Sequence, residues 1–246
     1  KEGIEIIKNL SPDIIITAAF GQILSEELLK IPPLGVINVH ASILPQYRGA
    51  APIQWAVIKG EKITGITIMK TEKGLDTGDI LYCEKTEIKP EETAGELTER
   101  LSYIGASALI NYLNHYNQFL PQKQNEDTAT YFPILRKTDG EINWNMPAES
   151  IYNLIRGVNP WPGAYTYYDN QILKIWKAKV IINNDYINKM DGEVIISDSK
   201  HGLQVKCGTN ILDILELQTI NGKKMSAKDF LNGKRIPTGT VFTTQL

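Results

Sequence analysis

The chain has 246 residues, 42% hydrophobic and 22% charged, with a formal net charge of −2. These values fit one large or two ordinary globular domains and exclude a disordered, collagenous or disulfide-stapled design. Charge alone demands no polyanionic partner, yet the balance is uneven: residues 1–136 carry 13 basic and 17 acidic side chains, residues 137–246 carry 13 and 11, so the C-terminal part is mildly basic.

The chain opens Lys1-Glu2-Gly3 without Met, and Ile4, Ile6 and Ile7 read as the end of a helix. We therefore expect a preceding segment of the first domain to be missing from this sequence, and any targeting signal in it is not visible. Asp13–Ala19 is a short β-branched run of the kind buried in parallel sheets. A helix follows around Ser25–Lys30, with Ser25 as its cap. Gly35–His40 reads as a second buried strand. A Gly/Pro-punctuated loop over 41–52 leads into a helix ending near Lys59. Ile63–Lys70 alternates as a strand should, a turn holds Gly74 and Gly78, and a further strand spans Ile80–Glu87. A long helix covers about Glu92–Asn117. Strands alternating with helices predict an α/β domain with a largely parallel sheet over residues 1–120.

Residues 121–147 read as a polar linker. A short helix over Ala148–Arg156 begins the C-terminal region. Short strands follow at Ala164–Tyr168, Gln171–Val180, Gly192–Ser197, Leu203–Cys207 and Ile211–Thr219, then a helix over Ser226–Asn232. That spacing predicts a small all-β barrel or sandwich over 148–246. Cys83 and Cys207 match no metal-ligand spacing and fit a reducing compartment. His40, His115 and His201 are scattered, so no metal is expected. No run is long and apolar enough to span a bilayer.

The stretch Ile37–Gln54, INVHASILPQYRGAAPIQ, carries the chemistry. Asn38 and His40 lie two apart on a strand, so both face one side near its C-terminal end, where open α/β sheets place their sites. A carboxamide can donate to a developing oxyanion, and an imidazole can donate or move protons. An Asn-x-His pair by itself is more often structural. Gly74–Asp79, GLDTGD, offers two carboxylates, either of which could orient His40; the residues alone do not separate Asp76 from Asp79.

Together with AAFGQIL at Ala18–Leu24 and ITGITIM at Ile63–Met69, these stretches resemble the folate-dependent formyltransferase family. Asp76 follows His40 by 36 residues, as in that family. The resemblance implies a Rossmann-like formyltransferase domain, incomplete at its N-terminus, followed by an OB-like β-barrel. It implies Asn38, His40 and Asp76 as catalytic residues, with direct formyl transfer from 10-formyltetrahydrofolate to an amine and neither a covalent enzyme intermediate nor a metal. By the same resemblance Phe20, Gly21, Gln22 and Leu24, with Ser42, Leu44 and Pro45, line the folate site.

Family members act on methionyl-tRNA, nucleotide-linked amino sugars or glycinamide ribonucleotide, and the catalytic trio does not choose among them. Arg156–Ala164 and Gly222–Gly233 resemble the C-terminal domain of the tRNA-acting branch. That points to initiator methionyl-tRNA as acceptor and to a bacterial-type cytoplasmic protein of translation initiation, with no protein partner inferred. Lys223, Lys224, Lys228, Lys234 and Arg235 are then candidates for phosphate contact. Two alternatives stand beside this one: an amino-sugar N-formyltransferase, and a non-catalytic RNA-binding protein.

Overall fold

A computed structural model describes residues 2–183 and 185–244. The chain divides into two compact units. The first runs to Ile134, except that Val57–Gly60 and Glu91–Gly95 group with the second, which continues from Leu135.

The first unit begins with α1 (Glu2–Leu10), β1 (Ile15–Ala18) and α2 (Glu26–Leu29). Ser25 caps α2 as expected, its hydroxyl accepting from the Leu28 amide at 3.3 Å and satisfying a donor that has no partner inside the helix. Next come β2 (Val36–His40), a two-residue β3 (Arg48–Gly49), α3 (Pro52–Ile58), β4 (Ile63–Lys70), β5 (Ile80–Glu87), α4 (Ala94–Asn114) and β6 (Tyr131–Phe132). The main sheet has the order β1-β2-β4-β5.

The sheet is mixed, and this corrects the expected parallel one. Only β1 and β2 are parallel; β2–β4 and β4–β5 are antiparallel. Parallel neighbours need a crossover, usually helical. The connection from Lys70 to Ile80 holds no helix, so β4 and β5 close as a hairpin. Strand β4 has six consecutive buried residues, Thr64–Met69, as a central strand covered on both faces should.

The second unit holds α5 (Ala148–Gly157), β7 (Ala164–Tyr168), β8 (Gln171–Ile181), β9 (Val194–Asp198), β10 (Gly202–Lys206), β11 (Ile211–Thr219), β12 (Met225–Ser226) and α6 (Ala227–Gly233). Its sheet runs β7-β8-β11-β10-β9, with β12 paired to β11. Alternation sets the inner face: Leu173 and Ile175 of β8 are buried beside Ile151 and Ile155 of α5. Ser226 caps α6, accepting from the Asp229 amide at 3.0 Å.

The expected closed barrel is not seen. Among the described residues the outer strands β7 and β9 share no ladder. Single bridges Tyr167↔Thr243 and Glu193↔Val241 attach the last segment to each edge instead. Regular strand spacing specifies a meander, but closure depends on the two edge strands meeting.

One polar group is costly in this core. Asp213 on β11 is buried, its Oδ1 has no hydrogen-bond partner, and Oδ2 lies 3.2 Å from Lys179 Nζ. Burial pushes the carboxyl above its usual range, with Lys179 pulling the other way. A pKa raised on folding gives stability at low pH that is lost as pH rises through the folded-state value. Asp213→Asn is therefore expected to stabilise the protein at pH 7 by on the order of 1 kcal/mol, or about 2–4 °C in Tm. The gain should vanish below the carboxylate range; an equal gain at acid pH would show that charge burial is not its cause.

Candidate active site

The site is built on β2. Its partner β1 runs parallel, with Ala18 beside Val39 and Thr17 beside Asn38, so the carboxyl ends of both strands reach the same edge of the sheet. The 19–24 segment leaves β1 at that edge. Phe20 is 52% exposed, Gly21 and Gln22 are exposed and Leu24 is half-buried. A Cβ on Gly21 would meet no atom within 4 Å, so packing does not require the glycine.

Asn38 is half-buried. The Thr17 hydroxyl lies 3.0 Å from Asn38 Oδ1 and donates to it, with the Ile37 carbonyl as a second acceptor at 3.2 Å. With its oxygen engaged, the carboxamide presents its NH2 as a donor.

His40 is buried, and its Nε2 stands 3.0 Å from the Tyr47 carbonyl oxygen. That oxygen can only accept, so Nε2 carries the proton. In the neutral ring Nδ1 is then a bare lone pair, 3.8 Å from Asp76 Oδ1. The sequence reading looked to an aspartate to orient the ring; a backbone carbonyl also holds it here. Asp76 instead places negative charge where an imidazolium would form. Its other oxygen accepts from the Gly49 amide at 2.8 Å.

The 41–49 loop holds this arrangement in place. The buried Ser42 hydroxyl donates to the Gln46 carbonyl at 2.7 Å. Thr67 of β4 donates to the Ser42 carbonyl at 2.6 Å and accepts from the Leu44 amide at 3.2 Å. Leu44 is buried and Pro45 half-buried after a cis peptide bond. Ser42 and Leu44 thus shape the loop from inside. The Tyr47 amide donates to Thr130 Oγ1 at 2.8 Å, its ring stacks on Phe132 at 4.9 Å and its hydroxyl donates to Glu61 at 2.6 Å. Gly49 has φ +97°, and a Cβ there would sit 2.5 Å from the Phe132 carbonyl oxygen, so this close approach of β3 to β6 needs glycine.

The five C-terminal basic residues Lys223, Lys224, Lys228, Lys234 and Arg235 are all exposed. Lys224 pairs with Glu216 and stands 5.9 Å from the Trp176 ring centroid, and Lys174 stands 5.4 Å from the same ring. Lys234 lies 5.5 Å from the ring of Tyr168. The sequence reading missed Trp176, Thr17 and Tyr47. Only Thr17 carried a local signal, a hydroxyl inside an aliphatic run. Among the described residues no group of three or more His, Cys, Asp or Glu could hold a metal ion, and no helix is long and apolar enough to cross a membrane.

The two domains are those of a formyl transferase. Residues 1–113 match the family model described as formyl transferase, and residues 134–235 match that of the formyl transferase C-terminal domain. The methionyl-tRNA formyltransferase of Caldanaerobacter subterraneus subsp. tengcongensis is 48% identical over 242 residues, 98% of this chain and 77% of that protein. The chain belongs to the methionyl-tRNA formyltransferase family. Among solved structures, the methionyl-tRNA formyltransferase from Clostridium thermocellum superposes with a TM-score of 0.62 at 28% identity, over 74% of this chain and 78% of the other. HypX from Aquifex aeolicus, solved with tetrahydrofolic acid, shares the fold with a TM-score of 0.67 at 16% identity, over 93% of this chain and 40% of that one.

Proposed function

We propose that this chain transfers the formyl group of 10-formyltetrahydrofolate to the amino group of initiator methionyl-tRNA. The observation that carries the reading is His40, whose Nε2 stands 3.0 Å from the Tyr47 carbonyl and whose Nδ1 faces the Asp76 carboxylate at 3.8 Å, next to an Asn38 amide whose oxygen is already engaged. The folate supplies an activated formyl group. Asn38 donates to the formyl oxygen as it gains negative charge, which is where a preorganised donor acts most strongly. His40 Nδ1 takes the proton of the attacking amine and returns one to the departing folate nitrogen. Between these transfers the imidazolium lies between the Tyr47 carbonyl and Asp76, two acceptors already in place. The Phe20–Leu24 segment, exposed over 20–23, and the loop through Pro45 form the folate side of the site. Ser42 and Leu44 support that loop from within.

The C-terminal unit, an OB-like module in this reading, contacts the tRNA. A tryptophan flanked by Lys174 and Lys224 combines a stacking surface with phosphate-attracting charge, as single-stranded and end-of-helix RNA contacts require. Such a protein works in the cytoplasm, where translation starts.

Thr17→Val tests the role given to Asn38. It keeps the shape of the strand and removes one hydrogen bond worth about 1 kcal/mol. The expected result is a roughly three- to tenfold lower kcat, with the melting temperature lowered by no more than about 2–4 °C; unchanged kcat would show that Asn38 needs no such support. The reading as a whole is tested by expressing the full-length protein in a bacterium whose own initiator-tRNA formylation has been deleted. Formyl-methionine should return at nascent N-termini. Its absence despite a folded, expressed protein would overturn the proposal.

A further inference from the structure

Gln124 lies between helix α4 and strand β6 in a stretch the sequence reading took for linker, and it uses its whole carboxamide. Its Oε1 accepts from Arg48 Nε at 3.0 Å and Arg48 Nη2 at 2.8 Å. Its Nε2 donates to the backbone carbonyls of Asp76 at 2.8 Å and Gly78 at 2.7 Å. Arginine offers only donors and backbone carbonyls only accept, so the amide has a single satisfiable orientation.

Both anchors are themselves fixed. The Arg48 side chain is fully buried and its guanidinium also binds both oxygens of Glu126, at 2.9 and 2.7 Å, and the Tyr131 hydroxyl. Gln122 exchanges two 2.8 Å backbone bonds with Ile80, the first residue of β5, and so sets the chain position from which Gln124 reaches the turn. The turn needs holding. Asp76 has φ +54°, in the left-handed region, and a neighbouring constraint holds it there.

Three consecutive residues thereby organise the site. The Tyr47 carbonyl receives His40, the Arg48 side chain holds Gln124, and the Gly49 amide holds the Asp76 carboxylate. We propose that Gln124 is a positioning residue for formyl transfer, fixing the Asp76 turn against the Tyr47–Gly49 loop so that the carboxylate faces His40 Nδ1. This rests on the catalytic role proposed for His40 and Asp76.

The test uses the full-length protein. Gln124→Glu keeps the size of the side chain and its bonds from Arg48, and replaces the two donors to the turn with an acceptor. Gln124→Met, of similar length, removes all of its hydrogen bonds and serves if the first variant does not fold. Because small displacements at reacting groups have large kinetic effects, a folded variant should lose about 10- to 100-fold in kcat, with KM for the tRNA within about twofold of wild type. Combined with Asp76→Asn, it should lose no more than Asp76→Asn alone, since both act on one group. The His40 ring nitrogen resonances should move in the Gln124 variant as they do in Asp76→Asn. Wild-type kcat in a folded Gln124 variant, losses that multiply in the double variant, or unmoved resonances would each overturn the proposal. If the wild-type protein formylates nothing, the functional reading falls, while the resonance comparison still decides whether Gln124 positions Asp76.

Discussion

His40→Ala is expected to lower kcat for formyl transfer by about 10²–10⁴, the usual worth of a positioned general acid–base group, and to leave KM for both substrates nearly unchanged. The imidazole has no substitute nearby. In the neutral ring Nε2 is committed to the Tyr47 carbonyl, and Nδ1 is the one ring atom able to accept a proton. Asp76, at 3.8 Å from it, is placed to stabilise the charged ring. Restoring a small imidazole from solution should recover part of the lost rate in the alanine variant. A variant with full activity and a normal melt would remove His40 from the mechanism and with it the reading of this site.

Asn38→Asp is expected to cost about 10²–10³ in kcat, comparable to the loss of one oxyanion-hole donor. The substitution is nearly isosteric, and an aspartate can still accept from Thr17 as Asn38 Oδ1 does at 3.0 Å. What changes is the group facing the site, from a donor to a charged acceptor. A developing oxyanion would then meet repulsion where it had met a hydrogen bond. Stability should change little, because Asn38 is only half-buried. A loss confined to KM would mean that Asn38 binds substrate in its ground state and contributes nothing specific to the transition state.

Much of this architecture was legible from local signals. Ile63–Lys70, Ile80–Glu87, Ala164–Tyr168 and Ile211–Thr219 were read with the bounds that the structure shows, because β-branched runs between turn residues are a short-range code. Ser25 announced its helix because a cap acts within four residues. Strand direction was not legible: nothing in the pattern of β4 says whether it runs with or against β2. Barrel closure was equally hidden, since it depends on whether the outer edges β7 and β9 meet.

The site divides along the same line. Asn38 and His40 could be paired from their spacing on one strand. Asp76 needed the family resemblance, because Asp79 in the same turn has the same chemistry. Tyr47 was invisible for a different reason: its contribution to His40 is a backbone carbonyl, which every residue has. Gln124 was invisible because a glutamine in a polar stretch looks solvated until its partners, 76 and 48 residues away, arrive from other parts of the chain. Trp176 was passed over as an ordinary alternating position of β8, and only the folded sheet places Lys174 and Lys224 beside its ring.

The most direct measurement gives the purified full-length protein 10-formyltetrahydrofolate and a choice of acceptors, initiator methionyl-tRNA and a nucleotide-linked amino sugar, and follows the formylated product of each. The account predicts formyl-methionyl-tRNA as the product, with the amino sugar left unmodified. Formylation of the sugar alone would keep the chemistry of Asn38 and His40 but contradict the acceptor, and no transfer to either from a folded protein would contradict the account itself.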